Sequence, residues 1–202
     1  MDNINLHRQT LNMIRERINS SIEVKQKIAS DERLISTIQA CADAMIETFK
    51  LGGKVLFCGN GGSAADAQHL AAELSGRFYF DRDPLPAEAA HVNTSFLTAV
   101  ANDYSYEEAY ARYIRSSARK GDLLVAISTS GNSINILKAV EAAKKVGMKT
   151  VGMTGSTGGK MKDMVDLLIN IPSDDTPRIQ ESHILAGHII CEIVEATLFK
   201  KS

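Results

Sequence analysis

The feature that most constrains the fold of this chain is an alternation of short apolar runs with helical patterns, which begins at Gly53. Five of the runs have the length and the bounding residues of β-strands. The predicted strands are Lys54–Cys58, Ala87–Val92, Leu123–Ile127, Thr150–Met153 and Leu167–Ile171. Strands that alternate with helices in this way form a parallel sheet with helices on both faces. The sequence therefore predicts an α/β fold of three layers, with a doubly wound, five-stranded parallel sheet.

Helical patterns fill the intervals between the strands and close the chain. They are predicted at Ala64–Arg77, Asn102–Lys120, Ser133–Val146, near Lys160–Met164, and from about Arg178 to Phe199. The final stretch is apolar on most sides, so we expect it to be buried.

The first 52 residues differ from the rest, because they lack proline and have no glycine before Gly52. Their apolar residues recur at helical spacing and predict two helices, the second capped by Ser30 or Asp31 and ended by Gly52. Helices attached before a main fold often pack against another subunit. We expect one domain over residues 1–202, with a helical segment at 1–52 and an α/β core at 53–202.

Composition excludes several classes of protein. The chain has 202 residues, a formal net charge of -1 and no long block of like charge, which argues against a nucleic-acid surface. Its three cysteines are far apart and suggest neither a disulfide framework nor a zinc ribbon. The N-terminus lacks the pattern of a signal peptide, and no apolar run is long enough to span a bilayer. We expect a cytoplasmic protein with no membrane partner.

Two predicted strands run into small, polar, glycine-containing loops that lead into helices. The first loop reads Gly59-Asn60-Gly61-Gly62-Ser63, and the second reads Ser128-Thr129-Ser130-Gly131-Asn132-Ser133. Such loops lie at the carboxyl edge of an α/β sheet, where ligands bind. Four hydroxyls beside the start of a helix suit a phosphate, whereas a tight turn capped by Ser133 would need only one. The glycine-rich patterns of nucleoside triphosphate and dinucleotide sites are missing, which disfavours those ligands.

The helix after the first loop carries His69 and Glu73, whose four-residue spacing places both side chains on one face. Such a pair can bind a metal or act as acid and base, although it also occurs on solvated helices. The last helix adds Gln180, His183 and His188. A histidine in an apolar stretch is often a hydrogen-bonded core residue, and the spacing alone does not choose between His183 and His188 as a ligand.

A further polar pair, Asn102-Asp103, lies near the predicted start of a helix. An amide and a carboxylate at that position can cap the helix. They can equally bind a sugar hydroxyl, so both interpretations stay open.

Three separated motifs together resemble one known family. They are Cys-Gly-Asn-Gly-Gly-Ser-x-x-Asp-Ala-x-His-x-x-x-Glu, Ile-Ser-Thr-Ser-Gly-Asn-Ser, and Arg-Ile-Gln-Glu-x-His-x-x-x-x-His. In this order they are similar to the phosphoheptose isomerases of the sugar isomerase (SIS) fold group. The similarity runs from about Leu34 to the C-terminus.

This resemblance implies the interconversion of sedoheptulose 7-phosphate and D-glycero-D-manno-heptose 7-phosphate through an enediol. It also implies a cytoplasmic homotetramer, with sites between subunits and one Zn²⁺ per subunit. The metal ligands carried over by motif are His69, Glu73, Gln180 and His188, of which Glu73 and His188 would also move protons. The implied substrate contacts are Asn60, Gly61, Gly62, Ser63, Glu73, Asn102, Asp103, Ser128, Thr129, Ser130, Ser133 and Gln180.

Three alternatives compete with this hypothesis. A related SIS-fold protein binds the replication initiator DnaA, but it lacks the glutamate that stands here at 73 and carries arginine in place of Ser130. A module that senses sugar phosphates would need the phosphate loop without the metal ligands. An isomerase of another sugar phosphate would share all three motifs. The stretch at 87–94 departs from the family, whose members commonly carry an apolar strand followed by a Thr-Thr-Asp-like stretch there.

Overall fold

The computed structural model describes the backbone of residues 2–199 and the side chains of residues 5–199. The helices are α1 Asp2–Ala29, α2 Glu32–Lys50, α3 Gly62–Ser75, α4 Thr94–Asp103, α5 Ala109–Ser117, α6 Ile134–Val146 and α7 Thr176–Phe199. The strands are β1 Val55–Gly59, β2 Ala87–Ala89, β3 Leu123–Ile127, β4 Lys149–Thr154 and β5 Leu167–Asn170. Short 3-10 helices lie at Tyr106–Glu108 and Gly159–Asp163.

The five strands form one parallel sheet in the order β2-β1-β3-β4-β5. Side chains alternate between its two faces, so Phe57 and Val125 join one core while Leu56 and Leu124 join the other. The first core packs against α2, α3 and α7, and the second packs against α5 and α6. This arrangement confirms the predicted three-layer α/β fold.

The sheet order creates a crevice between β1 and β3. The chain passes outward to β2 on one side and to β4 and β5 on the other, so the loops after β1 and β3 diverge at this switch point. Gly59, the last residue of β1, is paired with Ile127, the last residue of β3. The two polar loops that the sequence singles out therefore flank one crevice.

Two predicted elements are corrected by the structure. The predicted strand Ala87–Val92 is reduced to Ala87–Ala89 at the edge of the sheet, because the chain turns at once and Val92 N donates to Ala89 O (3.3 Å). This stretch is poor in β-branched residues, which fits its short pairing.

The predicted helix Asn102–Lys120 is in fact two helices, α4 and α5, separated by a 3-10 turn. Extended backbone at Ser105 breaks the helical path, while Asn93 begins α4 by accepting a hydrogen bond from Phe96 N (3.0 Å). Asn102 and Asp103 thus lie in the last turn of a helix, and the expected helix start at that position is wrong.

The first two helices agree with the sequence pattern. Asp31, and not Ser30, is the N-cap of α2, because its side chain accepts a hydrogen bond from Leu34 N (3.0 Å). Among the described residues, α7 has the length and composition of a membrane-spanning helix, but core helices share that composition and many α7 residues are buried. That residues 1–202 form one domain stays a prediction.

Candidate metal centre and substrate crevice

Helices α3 and α7 lie side by side and run in the same direction. Gly62, at the beginning of α3, touches the Gln180 side chain, and Gly187 further along α7 touches Leu70. A Cβ atom on Gly187 would come within 2.6 Å of the Leu70 methyl groups, so a larger residue there would force Leu70 to shift. The close contact brings the polar residues of the two helices together.

Three of these residues converge at one point. His69 Nε2 lies 3.0 Å from Glu73 Oε1 and 3.1 Å from His188 Nε2. The ligand atoms of all three lie within 4.8 Å of one another, and the group is open to solvent on the His69 side. Two imidazoles and a carboxylate are ligands that zinc accepts, with a fourth position left for water or substrate. The residues therefore fit a metal ion, and His188, not His183, belongs to the group.

Gln180 is the fourth predicted ligand. It precedes His188 by eight residues, or about 12 Å along the helix axis, and its amide packs against Gly62 at the beginning of α3. This position borders the first polar loop. The roles of Gln180 as a metal ligand and as a substrate contact both stay predictions.

The first polar loop is held tightly between β1 and α3. Gly61 has a positive φ of 54°, which favours glycine. Ser63 is buried and its N–H donates to Asn60 O (3.0 Å). A Cβ on Gly59 would lie 2.3 Å from Ser63 O, so the loop folds back closely on its own strand. The backbone of the loop thus faces the crevice in a rigid form.

Asn60 links the first polar loop to α6 and to the 3-10 helix at Tyr106–Glu108. Its side-chain amide exchanges two hydrogen bonds with that of Asn135 on α6 (2.9 and 2.8 Å), and Tyr106 Oη donates to Asn60 Oδ1 (3.0 Å). Most of the hydrogen-bonding groups of the Asn60 side chain are therefore already paired with protein atoms. Sequence reasoning missed Asn135 and Tyr106, although Asn135 stands only two residues after Ser133.

The second polar loop presents its hydroxyls at the beginning of α6. Ser128 Oγ and Ser133 Oγ are 3.1 Å apart. Ser133 occupies the N-cap position, yet within the described chain its hydroxyl makes no capping bond to the helix. The capping interpretation thus does not account for Ser133. Thr129 and Ser130 line an adjoining cavity of about 250 Å³.

Gly131 explains how this loop keeps its shape. It has a φ of +64°, and a Cβ there would lie 2.2 Å from Gly158 O, so the loop packs directly on the turn after β4. Thr129 O also accepts a hydrogen bond from Gly155 N (2.8 Å). These backbone contacts hold the hydroxyl-bearing residues in place before any ligand binds.

Asn102 and Asp103 are exposed at the end of α4. Asn102 Nδ2 donates to Asp103 Oδ1 (2.8 Å), so the described side chains bond to each other. Neither acts as the helix cap that the sequence left open.

Asp66 is a third residue that sequence reasoning missed. It stands three residues before His69 on α3, and its Oδ2 is buried without a hydrogen-bond partner among the described residues. Burial raises the pKa of Asp66, and the nearby His69 partly opposes this rise. The spacing of Asp66, His69 and Glu73, at i, i+3 and i+7 on one helical face, is the signal that could have identified it.

His183 proves to be the core histidine of α7. It is fully buried, and its Nε2 lies 3.0 Å from Thr154 O at the end of β4. Because burial disfavours the charged imidazole, the pKa of His183 is lowered to about 4. A neutral ring that donates to this carbonyl ties α7 to the carboxyl edge of the sheet.

Comparison with known proteins identifies the family. The family model for the SIS domain matches residues 18–155. A phosphoheptose isomerase from Aneurinibacillus thermoaerophilus is 52% identical over 187 residues, which cover 93% of this chain and 94% of that relative. This chain belongs to the SIS-domain family, among the phosphoheptose isomerases. The family resemblance seen in its three sequence motifs is thereby confirmed.

Solved structures of phosphoheptose isomerases have the same fold. The structure from Neisseria gonorrhoeae is 40% identical with a TM-score of 0.87, and it covers 93% of this chain and 99% of its own. The structure from Francisella tularensis is 38% identical with a TM-score of 0.88, and it covers 92% of this chain and 97% of its own.

The buried His183 makes the free energy of unfolding depend on pH. Its pKa is about 4 in the folded protein against a usual value of 6.5, so below pH 6.5 the unfolded chain takes up a proton first. The free energy of unfolding should therefore fall by about 3 kcal/mol as pH drops from 6.5 to 4. Urea unfolding of the wild type and of His183→Gln measures this slope.

We expect a shallower slope in His183→Gln, whose amide can still donate to Thr154 O but does not titrate. His7→Gln, which changes an exposed histidine on α1, is the control and should keep the wild-type slope. Equal slopes in wild type and His183→Gln would show that His183 is not the source of the pH dependence.

Proposed function

We propose that this protein is a zinc-dependent aldose–ketose isomerase that converts sedoheptulose 7-phosphate into D-glycero-D-manno-heptose 7-phosphate. This reaction is the first step toward nucleotide-activated heptose for surface polysaccharide. The observation that carries the proposal is the convergence of His69, Glu73 and His188 beside a hydroxyl-lined crevice, in a chain that belongs to the phosphoheptose isomerases.

Isomerisation requires a proton to move between adjacent carbons, through an enediol whose oxygen carries negative charge. A weak carbon acid needs a base nearby and a group that stabilises this charge. A zinc ion held by His69, Glu73 and His188, with Gln180 as the fourth candidate ligand, would supply a Lewis acid. Glu73 Oε1 and His188 Nε2 are the groups available to take up and return the proton, since both face the same point as His69 Nε2.

The phosphate of the substrate is proposed to bind the second polar loop. Ser128, Ser130 and Ser133 offer hydroxyls there, and the beginning of α6 adds the positive end of a helix dipole. The first loop, Asn60–Ser63, together with Gln180, Asn102 and Asp103, would contact the sugar chain. Thr129 would contribute from the adjoining cavity.

We propose a cytoplasmic homotetramer, in which α1 contributes to the subunit interfaces. Large apolar side chains along α1 are exposed, and exposed apolar surface of this extent marks association sites. They are Leu6, Leu11, Met13, Ile14, Ile18 and Ile22. Copies of this chain that pack along α1 would cover them, and a neighbouring subunit could then complete each site.

Incubation with sedoheptulose 7-phosphate, followed by NMR, tests the reaction. The zinc-loaded protein should form the heptose product, a chelator should abolish turnover, and added zinc should restore it. Absence of turnover in zinc-loaded protein would favour a binding protein of the DnaA-associating type. Turnover that survives the chelator would reject the metal.

Loss of the proton-transfer groups should stop turnover while the substrate still binds. Because general acid–base catalysis contributes about 10²–10⁴-fold, Glu73→Gln and His188→Ala should each lose at least about 100-fold in kcat. Calorimetry should still detect sedoheptulose 7-phosphate binding through the hydroxyl loop. Glu47→Gln, on the exposed face of α2, serves as the matched control and should be unaffected. Normal turnover in either site variant would refute its assigned role.

Association through α1 is tested by light scattering. Ile14→Asp combined with Ile18→Asp places charge on the proposed interface, so the tetramer should dissociate into smaller species. Asn12→Asp adds charge on another face of α1 and should leave the mass unchanged. A double variant that keeps the wild-type mass would show that the interface lies elsewhere.

A further inference from the structure

A buried ion pair lies next to His69, Glu73 and His188, which we call the metal group, and is not part of that group. Arg82 Nε lies 2.9 Å from Glu195 Oε1, and the two side chains are only 2% and 1% exposed. The free energy lost when both charges leave water roughly cancels the attraction between them, so stability alone is a weak explanation for such a pair. Its contacts indicate what else it does.

Glu195 holds the segment that follows α3. Besides Arg82, its carboxylate accepts hydrogen bonds from Phe78 N (2.9 Å) and Tyr79 N (2.7 Å). Although burial acts in the opposite direction, these donors and Arg82 lower the pKa of Glu195, so the carboxylate is ionised. The Phe78 ring lies 5.7 Å from the His188 ring, between centroids. Glu195 thus holds the backbone of Phe78, whose ring packs against a predicted metal ligand.

Arg82 holds the end of α3 itself. Its guanidinium donates to Glu73 O (2.8 Å) and Leu74 O (2.8 Å), which are carbonyls of the last turn of α3. Carbonyls in a last turn have no partner within the helix, so the guanidinium replaces the missing donors. The Phe199 ring covers the guanidinium at 5.3 Å. The backbone of Glu73 is therefore bonded directly to a buried charge.

The pair consequently joins the two helices that carry the metal group. Arg82 holds α3 at Glu73, one turn after His69, while Glu195 stands on α7 two turns after His188. Relative sliding or rotation of the helices would break several buried hydrogen bonds at once. Supporting contacts of this kind set ligand geometry, and an error of about 1 Å is enough to impair a site.

We propose that Arg82 and Glu195 are positioning residues, which hold His69, Glu73 and His188 in the geometry that binds the metal. This inference rests on the metal role proposed above for those three residues. The pair touches neither metal nor substrate, so it acts through the α3 backbone and through Phe78.

Zinc affinity separates positioning from simple stabilisation. Arg82→Lys keeps the charge but loses the guanidinium that reaches Glu195 and four backbone carbonyls. Glu195→Gln keeps the shape but loses the charge. Competition with a chromophoric chelator should show zinc affinity reduced about 10–100-fold in both variants. Their kcat should fall more than their KM rises.

Asp122→Asn is the matched control. Asp122 is also fully buried and accepts hydrogen bonds from Lys54 N and Arg119 N (2.9 Å each), but it lies before β3, at the edge of the sheet opposite the site. This variant should lose stability in urea and keep wild-type zinc affinity. The positioning role would be overturned if Arg82→Lys and Glu195→Gln lost stability in the same way but kept wild-type zinc affinity.

Hydrogen exchange in the wild-type protein tests the positioning role if neither variant folds. Zinc binding should slow exchange of the Phe78 and Tyr79 amides, whose acceptor is Glu195, and unchanged exchange would overturn the inference. A wild-type protein that binds no zinc would overturn the proposed metal centre and this inference together. Wild-type affinity in the variants would overturn this inference alone.

Discussion

The close contact between α3 and α7 is the interaction on which the candidate site depends. Gly187 allows Leu70 to pack against the α7 backbone, and Gly62 allows Gln180 to lie on the beginning of α3. Two helices that run in the same direction keep their residues in register along their length. His69 and His188 meet for that reason, although 119 residues separate them. The Arg82–Glu195 pair secures the same register at the far end.

The parallel sheet provides the second half of the site. Its order brings the carboxyl ends of β1 and β3 together at the switch point. The hydrogen bonds of Asn60 with Asn135 and Tyr106 join the first polar loop to α6 and to the 3-10 helix. The candidate metal ligands and the candidate phosphate anchors thus come from separate parts of one framework. The candidate ligands stand on helices, whereas the candidate anchors stand on a loop held by Gly131 and its backbone contacts.

Much of this arrangement was predictable because strand and helix periodicity is local. The strands at Leu123–Ile127 and the helix near Ser133–Val146 follow from apolar spacing alone. The failures have local causes as well. Ala87–Val92 has a single β-branched residue, Val92, and pairs only at its beginning. An extended residue at Ser105 divides what apolar spacing joined into one helix. The spacing of apolar residues does not reveal a break at a single backbone residue.

The sequence by itself determined the fold class, the two polar loops and the set of residues from which a metal site could be drawn. Those properties depend on spacing along one element, where 3.6 residues per turn or alternation along a strand relates neighbours. Helix spacing left His183 and His188 open, and the family motif selected His188. Only the tertiary structure showed that His188 meets His69 and Glu73, that His183 is buried against Thr154, and that Gln180 lies beside Gly62. The physical reason is that these outcomes depend on how two helices pack across more than a hundred residues, and helix spacing alone does not specify which face meets which neighbour.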